Sequence, residues 1–467
     1  MRAHEAGALH GQTHDRPSWL RTPTDVNDLV PGLWAATVRK GDDELEVGGL
    51  ATSSIAAQVG TPAYVLDEAD FRARARAFRT AFADDETPAD VYYAGKAFLC
   101  SAVVGWIEEE GLGLDVCSGG ELAVALRAGF PAARVTLHGN NKSDAELNRA
   151  VDAGVGRVAV DSFEEIERLD GLARAAGVVV PVLVRVTVGV EAHTHDYIAT
   201  AHEDQKFGFS LADGHALEAA RRVHAAPGLR LLGLHSHIGS QIFDTSGFEV
   251  AARRVLGLHA RLADELGSVP PELDLGGGFG IAYTTKDDPE GPQQLADGIR
   301  DIVRHECRAL GIAVPRLSVE PGRAIAGPST FTLYEVGTVK RVTLDAGASR
   351  TYISVDGGMS DNVRTALYDA DYSCTLASRR SSAKPVLSRV VGKHCESGDV
   401  VVKDEFLPGD IRRGDLLAVP ATGAYCRSLA SAYNHVPRPP VIAVRDGAVR
   451  VLLRRETEDD LFALDMG

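Results

Sequence analysis

The stretch LGLDVCSGGELAVAL, residues 112–126, joins a short apolar run to an amphipathic segment. Leu112–Cys117 reads as a buried strand, and Gly120–Leu126 carries a helix signal. The same pairing recurs on both sides. Before it lies Asp90–Ala94 (DVYYA). After it come Arg134–Gly139 (RVTLHG), Arg157–Asp161 (RVAVD), Val182–Val188 (VLVRVTV) and Leu231–Ile238 (LLGLHSHI), then Leu273–Gly278 (LDLGGG) and Leu317–Gly322 (LSVEPG). Among the intervening segments, Ser162 and Glu165 are spaced for a helix capping box. Eight strand-plus-helix units predict a (β/α)8 barrel, with a doubly wound sheet as the competing arrangement.

Past about residue 325 the pattern changes to short alternating strands, such as FTLYEVGTVKR (331–341) and TYISVD (351–356). The run VIAVRDGAVRVLLRRE reads as a hairpin turning at Asp446-Gly447. A chain of 467 residues is long for one core, so two domains are expected. The expected organisation is a mobile tail over 1–27 and an N-terminal segment over 28–60 that joins the β domain. A (β/α)8 barrel over 61–325 and a C-terminal β-barrel or sandwich domain over 326–467 complete it.

Hydrophobic residues make up 45% and charged residues 24%, as in a globular enzyme. A formal net charge of -16 argues against nucleic acid or an anionic membrane as partner, while leaving room for an anionic ligand. Six scattered cysteines with no CxxC pair argue against a disulfide framework or structural zinc and point to a reduced, cytoplasmic protein. The first residues hold no apolar core of a secretory leader, and no run is long and apolar enough to span a bilayer.

Reactive groups of a (β/α)8 barrel lie at the C-terminal ends of its strands. Polar residues fall there repeatedly: Lys96, Asp115, Ser118, His138, Asp161, Arg185, His237, Ser240, Gly276, Gly277, Gly278, Glu320 and Arg323. Lys96 in YYAGKA is a candidate Schiff-base lysine if the barrel mouth depresses its pKa; otherwise it is a solvated side chain. Gly276–Gly278 can bring backbone N–H groups close to a phosphate, or simply make a tight turn. A dinucleotide loop fits less well, because the spacing is not GxGxxG. Glu320 can keep a pyridine nitrogen protonated, and Arg323 can meet a phosphate or carboxylate; a surface ion pair is the plain alternative. His235 and His237 could chelate a metal, although no further ligands are evident, or one could stack on a flat cofactor ring. Cys395 and Glu396 read either as a buried thiol beside a charge or as a proton donor beside an ammonium-binding carboxylate.

Taken together these stretches resemble one family. YYAGKAF (92–98), DVCSGGEL (115–122), HGNNKS (138–143), KFGFS (206–210) and GLHSHIGSQI (233–242) match the diaminopimelate decarboxylases, in their actinobacterial form. DLGGGFG (274–280), EPGR (320–323), SVDGGMSDNVRTALYDADY (354–372), GKHCESGD (392–399) and PATGAYCRSLASAYN (420–434) continue the match in the family's order. That family belongs to the alanine-racemase-like fold type of enzymes dependent on pyridoxal 5'-phosphate. The resemblance implies that Lys96 would hold the cofactor as a Schiff base and His237 would stack on its ring. Ser240, Gly276, Gly277, Gly278 and Arg323 would surround its phosphate, and Glu320 would pair with its ring nitrogen. Arg364 and Tyr368 would hold the distal carboxylate of meso-2,6-diaminopimelate, with Arg323 also near the substrate. Glu396 would take the distal ammonium, Tyr425 would touch cofactor and substrate, and Cys395 would protonate the decarboxylated carbon to give L-lysine. The resemblance also implies a homodimer in which Cys395 and Glu396 complete the partner's site, and no metal. Four rivals differ in one feature each. A non-catalytic pyridoxal-phosphate-binding protein of the single-barrel kind would lack the β domain. An ornithine, arginine or lysine decarboxylase would leave Arg364 without a partner, a racemase would release no CO2, and a metal-dependent hydrolase would use His235 and His237.

Overall fold

A computed structural model of the chain describes residues 16–189, 206–267, 270–343 and 349–467. These divide into two units. One comprises Arg72–Gly280 and Pro289–Ala324; the other takes the described residues up to Phe71, Ile281–Asp288 and Ile325–Gly467.

The first unit is a closed barrel. Its strands are β1 (Ala89–Ala94), β2 (Gly113–Val116), β3 (Val135–Leu137), β4 (Arg157–Val160), β5 (Val180–Thr187), β6 (Leu229–Ser236), β7 (Glu272–Asp274) and β8 (Arg316–Val319). Each pairs in parallel with the next, and β8 pairs with β1 through Leu317 and Ala89. Closure excludes the doubly wound sheet, which would leave two edges. The strands are apolar because helices cover their outer faces and side chains fill the interior. Ser118 and Ser143 cap the helices Gly119–Arg127 and Asp144–Ala153, so these two serines start helices. Ser162 likewise accepts the Glu165 N–H at 3.2 Å. The expected reciprocal bond from Glu165 is replaced by a 2.7 Å contact to buried Lys142.

In the second unit, Thr330–Thr343 is the organising strand. Its first residues pair antiparallel with Ala63–Asp67 and with Leu416–Val419. A register shift between Val336 and Val339 turns the remainder onto Ser349–Val355, which leads to Pro385–Val391 and Val400–Pro408. Val441–Arg445 and Ala448–Leu453 form the predicted hairpin, with Asp446 and Gly447 at φ 51° and 75°. Leu45, Val47 and Ile55 pack into the core formed by Val65, Phe331, Leu333, Ile442 and Val444.

Three boundaries differ from expectation. Residues 1–15 of the expected tail lie outside the described residues, whereas Leu20 and Asn27 are buried and the Asn27 side chain bonds Ser381. Ala63–Asp67 was expected in the barrel but belongs to the second unit's sheet, flanked on both edges there. Ile281–Asp288 also sits with the second unit, although it follows β7 in sequence. No described helix is long and apolar enough to cross a membrane.

Candidate active site

The barrel places its polar strand-end residues around one interior. Lys96 follows β1, and its Nζ lies 3.7 Å from Asp115 Oδ2 near the end of β2. His138, just past β3, has its Nε2 3.5 Å from Asp115 Oδ1 and 3.0 Å from Glu320 Oε1, just past β8. His235 Nε2, from β6, reaches the same Glu320 oxygen at 3.4 Å. All of these except Lys96 are buried.

Three carboxylates, Asp115, Asp274 and Glu320, share this interior, and their environments separate them. Burial raises Asp115 and Asp274 against the pull of neighbouring cations. Burial pushes Glu320 the same way, but His138 and His235 outweigh it and hold Glu320 well below the carboxylate range. Burial lowers His138, yet Asp115 and Glu320 overcome that and raise it. Burial, helped by the charge of His138, lowers His235 and outweighs the upward pull of Glu320 and, more weakly, Asp274. The two histidines thus favour the charged form of Glu320, Asp115 and Glu320 favour the charged form of His138, and burial favours a neutral His235.

His237 accepts the Gly277 N–H on Nδ1 at 3.2 Å. Burial, with Lys96 and Arg185 nearby, keeps its pKa well below the ordinary value. It is a neutral imidazole with its tautomer fixed. The glycines after β7 have a reason beyond phosphate contact. A Cβ on Gly276 would lie 2.5 Å from Ser236 O, and one on Gly277 would strike Glu320 O. Gly276 N–H donates to Asp274 Oδ1 at 2.8 Å, so Gly276 and Gly277 have committed donors, and Gly278 is the candidate anion contact. Arg323 Nη2 donates to Ser240 Oγ at 2.9 Å, which brings those two predicted phosphate ligands together.

Asp161 and Arg185, which share the strand-end position, have structural partners. Asp161 accepts the Gly208 N–H and lies 3.8 Å from Arg185, whose guanidinium sits over Phe207. His138, His235 and Glu320 have donor atoms within 4.8 Å of one another, the spacing of a metal site, so the histidine pair read from the sequence is replaced by a different trio.

The second unit holds the other candidates. Arg364 begins the short helix Arg364–Tyr368, and only 5% of it is exposed. Its guanidinium lies 4.8 Å from the Tyr283 ring and 6.0 Å from the Tyr368 ring, and donates to Tyr372 Oη at 2.7 Å. No carboxylate among the described residues pairs with it, and its Nε is buried without a hydrogen bond. Tyr425 holds φ 68°, a conformation that bulky residues rarely adopt outside functional sites. Cys395 and Glu396 are exposed on the loop after Pro385–Val391. Sequence reading missed Asp274, Tyr283 and Tyr372. Tyr372 lies 8 residues beyond Arg364 in the same quoted motif, but nothing local ties Tyr283 to Arg364.

Residues 68–327 match the family model of the pyridoxal-dependent decarboxylases, pyridoxal binding domain. A diaminopimelate decarboxylase of Mycobacterium tuberculosis is 58% identical over 446 residues, covering 94% of this chain and 98% of that one. One of Mycobacterium leprae is 54% identical over 477 residues, with both chains covered fully at 100%. The crystal structure of a diaminopimelate decarboxylase from M. jannaschii in complex with L-lysine superposes with a TM-score of 0.86. It is 29% identical and covers 93% of this chain and 98% of its own. On this evidence the chain belongs to the pyridoxal-dependent decarboxylases and, within them, to the diaminopimelate decarboxylases.

Proposed function

We propose that the protein converts meso-2,6-diaminopimelate to L-lysine and CO2, the last step of lysine biosynthesis, with pyridoxal 5'-phosphate held covalently by Lys96. The observation that carries the substrate is Arg364. A buried guanidinium without a carboxylate is costly unless a ligand supplies one. Diaminopimelate differs from lysine by one carboxylate, and this cation is placed to select for it. The M. jannaschii relative binds L-lysine, the product this reaction would give.

The barrel residues suit the cofactor. Asp115 Oδ2, His138 Nε2 and Glu320 Oε1 are buried without an aligned hydrogen bond among the described residues, as expected of a site shaped for a polar ring. When bound, pyridoxal phosphate supplies an electron sink for the charge left by departing CO2. Lys96 bonds it, Ser240, Gly278 and Arg323 receive its phosphate, and Gly276 and Gly277 shape the turn. Ionised Glu320 keeps the ring nitrogen protonated, with His138 balancing that charge. Neutral His237 faces the ring without competing for its proton. Arg364 and Tyr368 take the distal carboxylate, and Tyr425 lines cofactor and substrate. The Glu396 carboxylate takes the distal ammonium, and the Cys395 thiol delivers a proton to the substrate carbon. Both come from a second copy in a homodimer. All six cysteines are free thiols, in keeping with a cytoplasmic setting.

The deciding measurement is CO2 release from meso-diaminopimelate beside lysine, ornithine and arginine. Turnover of diaminopimelate alone is expected, and comparable turnover of lysine or ornithine overturns the substrate. A second reading, metal-assisted hydrolysis at His138, His235 and Glu320, would need bound metal and no lysine-linked visible absorbance.

A further inference from the structure

The loop that carries Cys395 and Glu396 is clamped from two sides by residues outside the site described above. On one side stands Asp399, 4% exposed. Its Oδ2 accepts the His394 N–H at 2.7 Å, and its Oδ1 accepts the Met359 N–H at 2.6 Å. A Cβ on Gly358 would lie 2.5 Å from Oδ1, and one on Gly392 would strike both carboxylate oxygens, so two glycines make room for this group. On the other side stands Asn434, the last residue of the motif PATGAYCRSLASAYN. Asn434 holds φ 52°, a left-handed conformation that asparagine tolerates better than most residues. Its Oδ1 accepts the Cys395 N–H at 3.2 Å and lies 3.3 Å from His394 Nδ1. His394 Nε2 meets Ser360 Oγ at 2.8 Å, and the Ser431 N–H bonds Ser360 O at 2.9 Å.

The frame formed by 358–360 and 431–434 thus fixes the main chain of His394 and Cys395, while the Cys395 side chain stays exposed. Within its own chain the thiol gets its direction from its backbone, which these contacts hold. Proton delivery requires hydrogen-bond reach of the reacting carbon, and small displacements weaken it steeply. We propose that Asn434 is a positioning residue for the Cys395 thiol, acting through the Cys395 main chain and the His394 ring. This rests on the reading of Cys395 as proton donor.

Asn434→Gly keeps the backbone conformation and removes the acceptor, and Asn434→Asp keeps an acceptor. CO2 and lysine are measured separately on the holoenzyme. When the thiol misses the substrate carbon, a proton taken at the cofactor's own carbon followed by addition of water would leave an aldehyde and pyridoxamine phosphate. Each such event uses up one cofactor, so with free pyridoxal phosphate supplied in excess CO2 outruns lysine. Asn434→Gly is expected to lower kcat about tenfold with little change in KM and to raise the CO2-to-lysine ratio above unity. Asn434→Asp is expected to bring the ratio back. Native kcat and ratio in Asn434→Gly overturn the proposal. So does a fall in CO2 and lysine together that Asn434→Asp fails to rescue, since that marks a structural role. If Cys395→Ala itself retains native kcat and ratio, the proton-donor reading fails instead.

Discussion

Arg364 and His138 show how much hangs on single buried charges. Replacing Arg364 by Met removes a cation that has aromatic neighbours but no carboxylate partner among the described residues. For a site built around a charged substrate group, kcat/KM on diaminopimelate is expected to fall by about a thousandfold. The thermal midpoint is expected to hold, because an unpaired buried charge is removed; steady-state kinetics with a melting curve check both halves. His138 makes the opposite case. Asp115 and Glu320 raise its pKa above the ordinary 6.5 in the folded chain. Such a group stabilises the fold fully below its unfolded pKa and loses that contribution as pH rises through the folded one. Tm is therefore expected to decline from about pH 6.5 upward, and His138→Gln is expected to flatten that limb. An equally steep limb in the variant would mean that another group titrates there.

At the scale of elements, the turn after β7 and the helix after β3 separate function from stability. Gly277 lets that turn approach the main chain of Glu320, where any Cβ would collide. Gly277→Ala is expected to destabilise by about 2–3 kcal/mol and to weaken cofactor retention, because Glu320 and His237 both lean on this turn. Denaturant melts and the visible absorbance of the purified protein report the two effects. Ser143 lies in an equally prominent motif but forms a capping box with Glu146. Ser143→Ala is expected to cost about 1 kcal/mol and leave kcat near native. The eight strands were legible because their apolar runs are local signals. The turn glycines were legible as glycines, but their clash with Glu320 and Ser236 required strands far apart in sequence.

For the whole molecule, the proposed homodimer makes a quantitative claim. Lys96→Ala and Cys395→Ala are each expected to be inactive alone. If each site draws Lys96 from one chain and Cys395 from the other, a reassorted equal mixture contains hybrids with one intact site. Activity is then expected to recover to about a quarter of native. No recovery, with exchange verified by mass, would put both residues in one chain's site. The division into units also went beyond the sequence. Ala63–Asp67 precedes the barrel in the chain, yet it is flanked by Thr330–Leu333 and Val441–Val444 in the other unit. The stretch 16–27 lacks apolar periodicity and reads as a tail, but Asn27 bonds Ser381 and Leu20 is buried.

By itself the sequence determined the alternation of strands and helices, the placement of Lys96, His237 and Glu320 at strand ends, and the motifs that mark the family. Those are local or periodic properties, written wherever a strand meets its turn. The tertiary structure decided which of three buried carboxylates has its pKa lowered rather than raised, since that depends on His138 and His235 arriving from separate strands. It also decided that Arg364 lies among Tyr283, Tyr368 and Tyr372 with no carboxylate partner among the described residues. A charge's environment is set by everything that folds around it, and most of that lies far away along the chain.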